Sequence, residues 1–371
     1  MQISFNSTGM QAGLSVASGK DARDYCIVVV KGTFEANERG ELSLTAEQQP
    51  PLATDEHYGE PATTSIRYEC DFAMEKPFTD VVVVGKAVSP SGRPVTQLSV
   101  GLEVQKRRKA LLVLGERRWL RSLGRMFPSE PVPFTEMPLV YERAFGGQDE
   151  SRGPGRASVE RRNLVGVGFH PHRSTAQIEG TPLPNLEHPA QRILSPRDRP
   201  EPMGVGHIGR AWTQRVAYAG TYDTRWRDER APFLPEDFDS RYFQSVAGDQ
   251  QFPLFRGGEQ LRCVNMAATP VVPFVIPSLR VPVRFHFADR EVEQEGVLDT
   301  VTLEPHLARA VLVWRARIAL GKKLNSLREI SIGEPPRTER GQIIGYRNGK
   351  PLFRGLRDAV RWLRDSRGSR R

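Results

Sequence analysis

The sequence predicts a mainly β protein: an antiparallel β-sandwich or barrel-like body with long ordered Pro/Gly-rich loops, few short helices and a short basic helix at the C-terminus. Three observations predict it. β-branched runs recur towards both ends of the chain, 33 glycines and 29 prolines supply turns, and an apolar share of 38% is low for packed helices. A chain of 371 residues is long enough for one large domain or two ordinary ones.

The elements follow in order. Residues 25–34 are β-branched and end in a turn, and residues 80–88 read as a second strand closed by the turn residues 89–94. Residues 95–104 largely alternate apolar and polar, and after the basic turn 105–109 a strand resumes at 110–115. From about 125 to 248 the chain is dense in Pro, Gly and Arg. It is read as ordered loops pinned by Trp212, Tyr218, Tyr222, Trp226, Phe233, Phe238, Tyr242 and Phe243, because disordered segments lack such aromatics. Residues 235–243 predict a short helix with acidic residues at its start. Strands return at 259–266, 281–287, 297–303 and 310–316; the first three alternate, which predicts one wet face each. The chain divides into an N-terminal β-rich part (1–124), a loop-rich centre (125–250), a C-terminal β-rich part of the same body (251–332) and a basic tail (333–371).

Charge is concentrated in that tail. The formal net charge is +9, and residues 337–371 hold eleven basic against three acidic residues, a surplus of +8 that leaves the remainder near +1. Within the tail, Leu352, Leu356, Val360 and Leu363 fall on one side of a helix surrounded by Arg354, Arg357, Arg361 and Arg364. This pattern could bind nucleic acid, lie on an anionic membrane or dock an acidic protein; few aromatics interleave the arginines for nucleic acid, and docking on a protein is the reading adopted. No apolar run is long enough to span a membrane, and the N-terminus lacks the pattern of a secretory signal. Cys26, Cys70 and Cys263 are odd in number and far apart, as expected of small buried residues in a reducing cytoplasm.

Candidate chemistry is sparse. Residues 134–147 join an apolar run to Glu142, Arg143, Gly146 and Gly147, a pattern that fixes a loop through charge-assisted hydrogen bonds. Arg256, Gly257, Gly258 and Glu259 repeat that logic as a tight turn entering a strand. Residues 204–209 satisfy G-x-G-x-x-G, but prolines precede them and a β-like segment follows, so a glycine-rich connection is expected in place of a dinucleotide loop. His170, His172 and His188 lack a carboxylate or cysteine at ligand spacing. Asp223, Asp237 and Asp239 are read as helix caps or partners of Arg225, Arg227 and Arg241, and there is no nucleophile elbow. No catalytic residue, metal or cofactor is expected.

A series of segments then resembles a known family. It runs from 81–87 and 94–96 through 134–147, 163–169, 183–187, 199–202 and 219–223 with Trp226. It continues with 234–239, 249–250, 256–259, 298–301 and 314–316. Together these resemble, over roughly residues 1–332, the bacterial family DUF2169, found with type VI secretion systems. The resemblance implies a non-enzymatic cytoplasmic adaptor or chaperone that holds an effector toxin and helps load it onto the spike through a PAAR tip protein or VgrG. It brings no catalytic residues, and Glu142, Arg143, Arg256 and Glu259 are recurrent positions in it. With Trp226 and with Arg357, Arg361 and Trp362 of the tail, these are the candidate partner contacts; specific nucleic-acid binding is not expected, and the oligomeric state is left open. The alternatives are a hydrolase built on Asp223, Asp237 and nearby histidines, or a carbohydrate- or nucleic-acid-binding β protein.

Overall fold

Two long strands decide the architecture. In the computed structural model, which describes residues 1–153, 155–321 and 326–334 with 343–347, 350–353 and 359–360 of the tail, Asp24–Ala36 and Arg309–Ala319 pair antiparallel over eleven positions. Their β-branched centres, among them Val28, Val29, Val311 and Val313, are buried on both faces of the sheet. They form the middle of a seven-stranded sheet ordered Gln251–Phe252, Thr79–Val83, Val297–Glu304, Arg309–Ala319, Asp24–Ala36 and Gln11–Ser18, with Leu42–Leu44 added to Asp24–Ala36. One pairing in it is parallel, Val297–Glu304 against Thr79–Val83. More than two hundred residues of chain separate those strands, as a crossover requires and a hairpin forbids.

A five-stranded antiparallel sheet runs Leu186–Glu187, Arg107–Leu114, Gln97–Val104, Gln260–Val264 and Val271–Val275. A four-stranded sheet runs Gln2–Asn6, Leu327–Ile332, Pro282–Phe287 and Glu291–Glu295, with the first pair parallel. One core cluster takes Val28 and Leu312 from the largest sheet, Val100 and Leu261 from the second, and Phe285 and Ile330 from the third. The protein is therefore mainly β and sandwich-like, with sheets that stay open and do not close into a barrel. Strands from both ends of the chain meet in that core.

Several elements differ from expectation. Residues 80–88 form two strands, Thr79–Val83 and Lys86–Val88, because the chain leaves the central sheet at Gly85, and Lys86–Val88 pairs with Glu136–Pro138 instead. Val297–Glu304 has no wet face: from Leu298 onward every residue is buried. Its polar side chains meet partners, Arg315 on the paired strand for Asp299 and Tyr68 of the short strand Ile66–Tyr68 for Glu304. The helix expected at 235–243 is only a 3-10 turn, Ser240–Phe243, whose Asp239 cap accepts from the Arg241 N–H at 2.9 Å. An Asp-capped α-helix lies earlier, at Thr224–Glu229, where Asp223 accepts from the Trp226 N–H at 2.8 Å. In the tail, Leu352 and Phe353 belong to a strand, Lys350–Phe353, paired with Ile343–Arg347. The remainder of the expected basic helix, with Arg357, Arg361 and Trp362, lies outside the described residues apart from 359–360, which are helical.

The central loops are pinned by aromatics, as the sequence implies. Trp212 is buried and meets Tyr141 edge-on at 4.9 Å, and Phe238 packs against Tyr242 and Phe243. A ribbon absent from the sequence reading, Trp119–Ser122 with Arg125–Pro128, stands apart from the three sheets.

Candidate functional site

The sequence's candidate contacts do not converge. Glu142 and Arg143 adjoin in the chain but hold different neighbours. Glu142 accepts from the Ser65 N–H at 2.8 Å and its hydroxyl at 2.7 Å, whereas Arg143 donates to Glu116 at 2.7 Å and to Asn185 at 2.9 Å. The pair fixes two loops, as expected, without bonding to each other. Gly147, at φ 91°, sits where a Cβ would lie 2.2 Å from the Gly166 carbonyl oxygen, so a side chain is excluded. Trp226 lies elsewhere, edge-on to Tyr222 at 4.7 Å and donating to the Phe233 carbonyl at 2.9 Å.

Arg256 and Glu259 shape something more open. The Glu259 carboxylate accepts from the Arg256 and Gly257 N–H groups, both at 2.9 Å. This makes the expected tight turn into Gln260–Val264. Gly257 has φ 104°, and a Cβ there would sit 2.4 Å from the Ser278 Cα. The turn forms one wall of a trough made of two adjoining clefts, of about 400 Å³ and 340 Å³, which share Leu254, Glu295 and Val297. Leu254, Leu279 and Val297 are exposed there. Arg256, the Arg280–Glu295 pair at 3.0 Å and the Arg317–Glu75 pair stand along the trough. A few apolar side chains on a rigid floor with charges beside them is the make-up of a protein-docking patch. Leu254, Leu279 and Val297 were not singled out from the sequence, and the one signal for them was an apolar residue beginning a strand just after Gly296.

A second constellation is buried, and its Lys76, Asp299 and Arg315 back onto the 340 Å³ cleft of the trough. On the face of the central sheet opposite the main core, Arg315 grips Asp299 with two nitrogens at 2.6 and 3.2 Å and donates to the Asp71 and Ala73 carbonyls. Lys31 pairs with Asp71 at 2.9 Å, Lys76 with Asp80 at 2.8 Å and Arg215 with Glu69 at 2.6 Å. Burial raises the Glu69 carboxyl, but the Arg215 and Lys76 cations beside it overcome that and hold it at about 2. His207 is buried next to Ser245 at 3.0 Å, and burial pushes it down to about 4, so it is neutral. The void among these groups is only about 20 Å³, room for one water molecule and no substrate. With each cation matched to a carboxylate, the cluster ties the 69–80 segment and the central loops to the sheet.

The remaining candidates take structural partners. Residues 204–209 run beside Thr79–Val83, with the Val83 N–H donating to the Val205 carbonyl at 2.8 Å. Gly204 lies against the Tyr141 ring. That is a connection, and the β-like segment expected after it is instead a four-residue helix, Thr213–Val216, whose first N–H is taken by the Arg161 carbonyl at 2.9 Å. Asp223 and Asp237 do line one cleft of about 210 Å³ with Trp226. Asp223 caps its helix, however, and the Thr221 N–H and hydroxyl hold the Asp237 carboxyl below its usual range. Both carboxylates hold neighbouring N–H or hydroxyl groups, and no histidine lines the cleft. His172 meets Ser158 at 2.8 Å, His188 accepts from the Ala190 N–H at 3.1 Å and His170 meets Thr181 at 3.4 Å. Among the described residues no group of three or more His, Cys, Asp or Glu is arranged to hold a metal ion. Cys26 and Cys263 are buried, Cys70 is half-buried, and all three are free thiols. Among the described residues no helix is long and apolar enough to cross a membrane.

Comparison with curated proteins and with solved structures finds no match. A family described as an uncharacterized protein conserved in bacteria, DUF2169, matches residues 21–315, within the span the sequence resemblance suggested. The match takes in the seven-stranded sheet nearly whole, the buried charge cluster and the turn that walls the trough, and this chain belongs to the DUF2169 family.

Proposed function

We propose that the protein is a non-enzymatic adaptor or chaperone of bacterial type VI secretion. It binds an effector toxin in the cytoplasm of the producing cell and helps to load it onto the spike through a PAAR tip protein or VgrG. The observation that carries this reading is the trough around Leu254 and Val297, an open apolar floor with charged residues along it on a stiff sheet. Each of Leu254, Leu279 and Val297 retains about 40% of its surface for a partner to cover, about 1 kcal/mol apiece. Arg256 and the Arg280–Glu295 pair then set orientation and encounter rate more than affinity. A preformed floor loses little freedom on binding, which favours a stable complex over a transient one.

The test is co-expression with the neighbouring PAAR-type and effector gene products, followed by affinity pull-down and size-exclusion chromatography. A co-eluting complex, with a partner that is insoluble or degraded alone, supports the adaptor. A monomer that ignores both partners removes it.

A further inference from the structure

The three large sheets end in six edge strands, and five of these carry a guard against further pairing. Gln251–Phe252 and Leu186–Glu187 are two residues long. Val271–Val275 holds Pro273, Glu291–Glu295 presents three glutamates, and Gln2–Asn6 is bulged between Ile3 and Phe5. Gln11–Ser18, which ends the largest sheet, has no such guard. It is eight residues long, without charge or proline, and follows Asp24–Ala36 in unbroken register from Gln11 opposite Lys31 to Ser18 opposite Asp24. Alternate residues of an antiparallel strand turn their N–H and C=O away from the neighbour. Among the described residues, no main-chain group of Gln11–Ser18 bonds to anything but that neighbour.

The strand is held firmly from both faces. Ala12 and Leu14 pack on the main core, Ala17 packs on the cluster across the sheet, and the Phe72 ring covers Gly13 from that side. Val16 keeps 46% of its surface. Only another extended backbone matches a row of outward N–H and C=O groups, so the occupant is a strand. Its side chains say which one. A foreign strand is selected by pockets or charges beside the edge. Here Gln11 is followed only by Ala, Gly, Leu, Ser and Val, and the strand lines none of the clefts described above. The same features suit pairing with itself. A two-fold axis through Ser15, perpendicular to the sheet, sets Leu14 of one copy opposite Val16 of the other on one face. On the other face it sets Gly13 opposite Ala17 and Ser15 opposite Ser15. Apolar meets apolar, small meets small, and no like charges oppose. Glu291–Glu295 turned on itself in this way would set Glu293 against Glu293.

We propose that Gln11–Ser18 is the interface of a symmetric homodimer, in which two copies of this chain pair these strands antiparallel and join their seven-stranded sheets into one. A two-fold contact uses the same patch on both copies and closes at the dimer. It satisfies the outward main-chain row of both edges at once and covers Val16 with Leu14 of the second copy. Because the strand is already ordered by its own core, little freedom is lost on pairing. The trough is lined by no residue of this strand, so the dimer carries two troughs, and the proposal stands whether or not the trough binds an effector.

The experiment is sedimentation velocity of the full chain across a wide range of concentration, for wild type and Val16→Lys, with Ser15→Cys examined under mild oxidation. Wild type is expected to pass from monomer to dimer with no larger species. Val16→Lys adds the kind of charge that guards an edge, and is expected to weaken the dimer at least ~30-fold. Ser15→Cys is expected to form an interchain disulfide, since directly opposed residues of an antiparallel pair lie within disulfide reach. Wild type, whose own cysteines are buried or half-buried, is expected to form none. The disulfide keeps the test valid if Val16→Lys misfolds. A wild type that stays monomeric, a dimer whose Kd ignores Val16→Lys, an assembly that grows past the dimer, or no disulfide at residue 15 overturns the proposal. So does protection of residues 11–18 from hydrogen exchange that appears only when an effector is added, which assigns the edge to a foreign strand. Leu254→Asp in the trough is expected to leave the dimer Kd unchanged, which separates this interface from the adaptor site.

Discussion

Removing Asp299 from beneath Arg315 tests whether the buried cluster holds the fold together. Arg315 is 5% and Asp299 1% exposed, and the guanidinium keeps two carbonyl contacts, to Asp71 and Ala73, when the carboxylate is gone. Asp299→Ala strands a buried cation with two of its nitrogens unmatched, a loss of about 3–5 kcal/mol. That is a large part of the roughly 5–15 kcal/mol that stabilises a typical domain. Arg315→Met leaves the converse, a buried carboxylate with only Thr300 donating to it at 2.9 Å, and loses a similar amount. The Asp299→Ala/Arg315→Met double variant carries neither stranded charge. It is expected to lie within about 1–3 kcal/mol of wild type, so the singles and the double differ by a coupling of at least about 2 kcal/mol. Urea unfolding followed by tryptophan fluorescence reads this directly, since Trp314 adjoins Arg315 in the chain, provided the slope with denaturant is unchanged. Single variants that lose less than about 1 kcal/mol, or a double equal to the sum of the singles, would refute the reasoning.

The same cluster predicts a two-stage loss of stability in acid. His207 falls from an ordinary 6.5 to about 4 in the fold, so its contribution is complete above pH 6.5 and declines as pH falls to about 4, by about 3 kcal/mol. Glu69 falls from 4.5 to about 2, so its contribution is complete above pH 4.5 and declines below that; chemical denaturation across pH should show His207→Gln abolishing only the upper stage. At the trough, Gly257→Ala meets both a left-handed backbone and the Ser278 Cα at 2.4 Å, whereas Gly258→Ala meets a left-handed backbone in open space. Gly257→Ala should therefore lower stability by about 2–3 kcal/mol and Gly258→Ala by about 1 kcal/mol, measured as melting temperatures, and equal shifts would contradict the packing.

Much of the sheet was legible because its strands carry their own signal. The runs around Val28 and Val311 are β-branched and apolar enough to be strands in any setting. Val297–Glu304 shows where local reading fails. Asp299, Thr300, Thr302 and Glu304 look like a wet face, yet Arg315 on the paired strand takes Asp299 and Tyr68, far away in sequence, takes Glu304, and all four residues are buried. Glu142 and Arg143 were read from adjacency, and adjacency says nothing about which loop each side chain reaches. Arg256 and Glu259 were found because a glycine pair between charges has a backbone meaning of its own. The trough itself was invisible, since Leu254, Leu279 and Val297 are unremarkable singly and meet only through the sheet. The 119–128 ribbon was hidden for a similar reason. Arginines and a glycine mask a strand pair whose inner face is held by Trp119 and Met126.

The central claim, that the trough seats a protein partner, is tested most directly by the Kd for the co-purified effector or PAAR-type partner of wild type and of a Leu254→Asp/Val297→Asp variant. The account predicts a tight wild-type complex and a loss of at least ~30-fold in the variant, with the variant still unfolding cooperatively, since each side chain already leaves 38% of its surface in solvent. A well-folded variant that binds as tightly as wild type would contradict it.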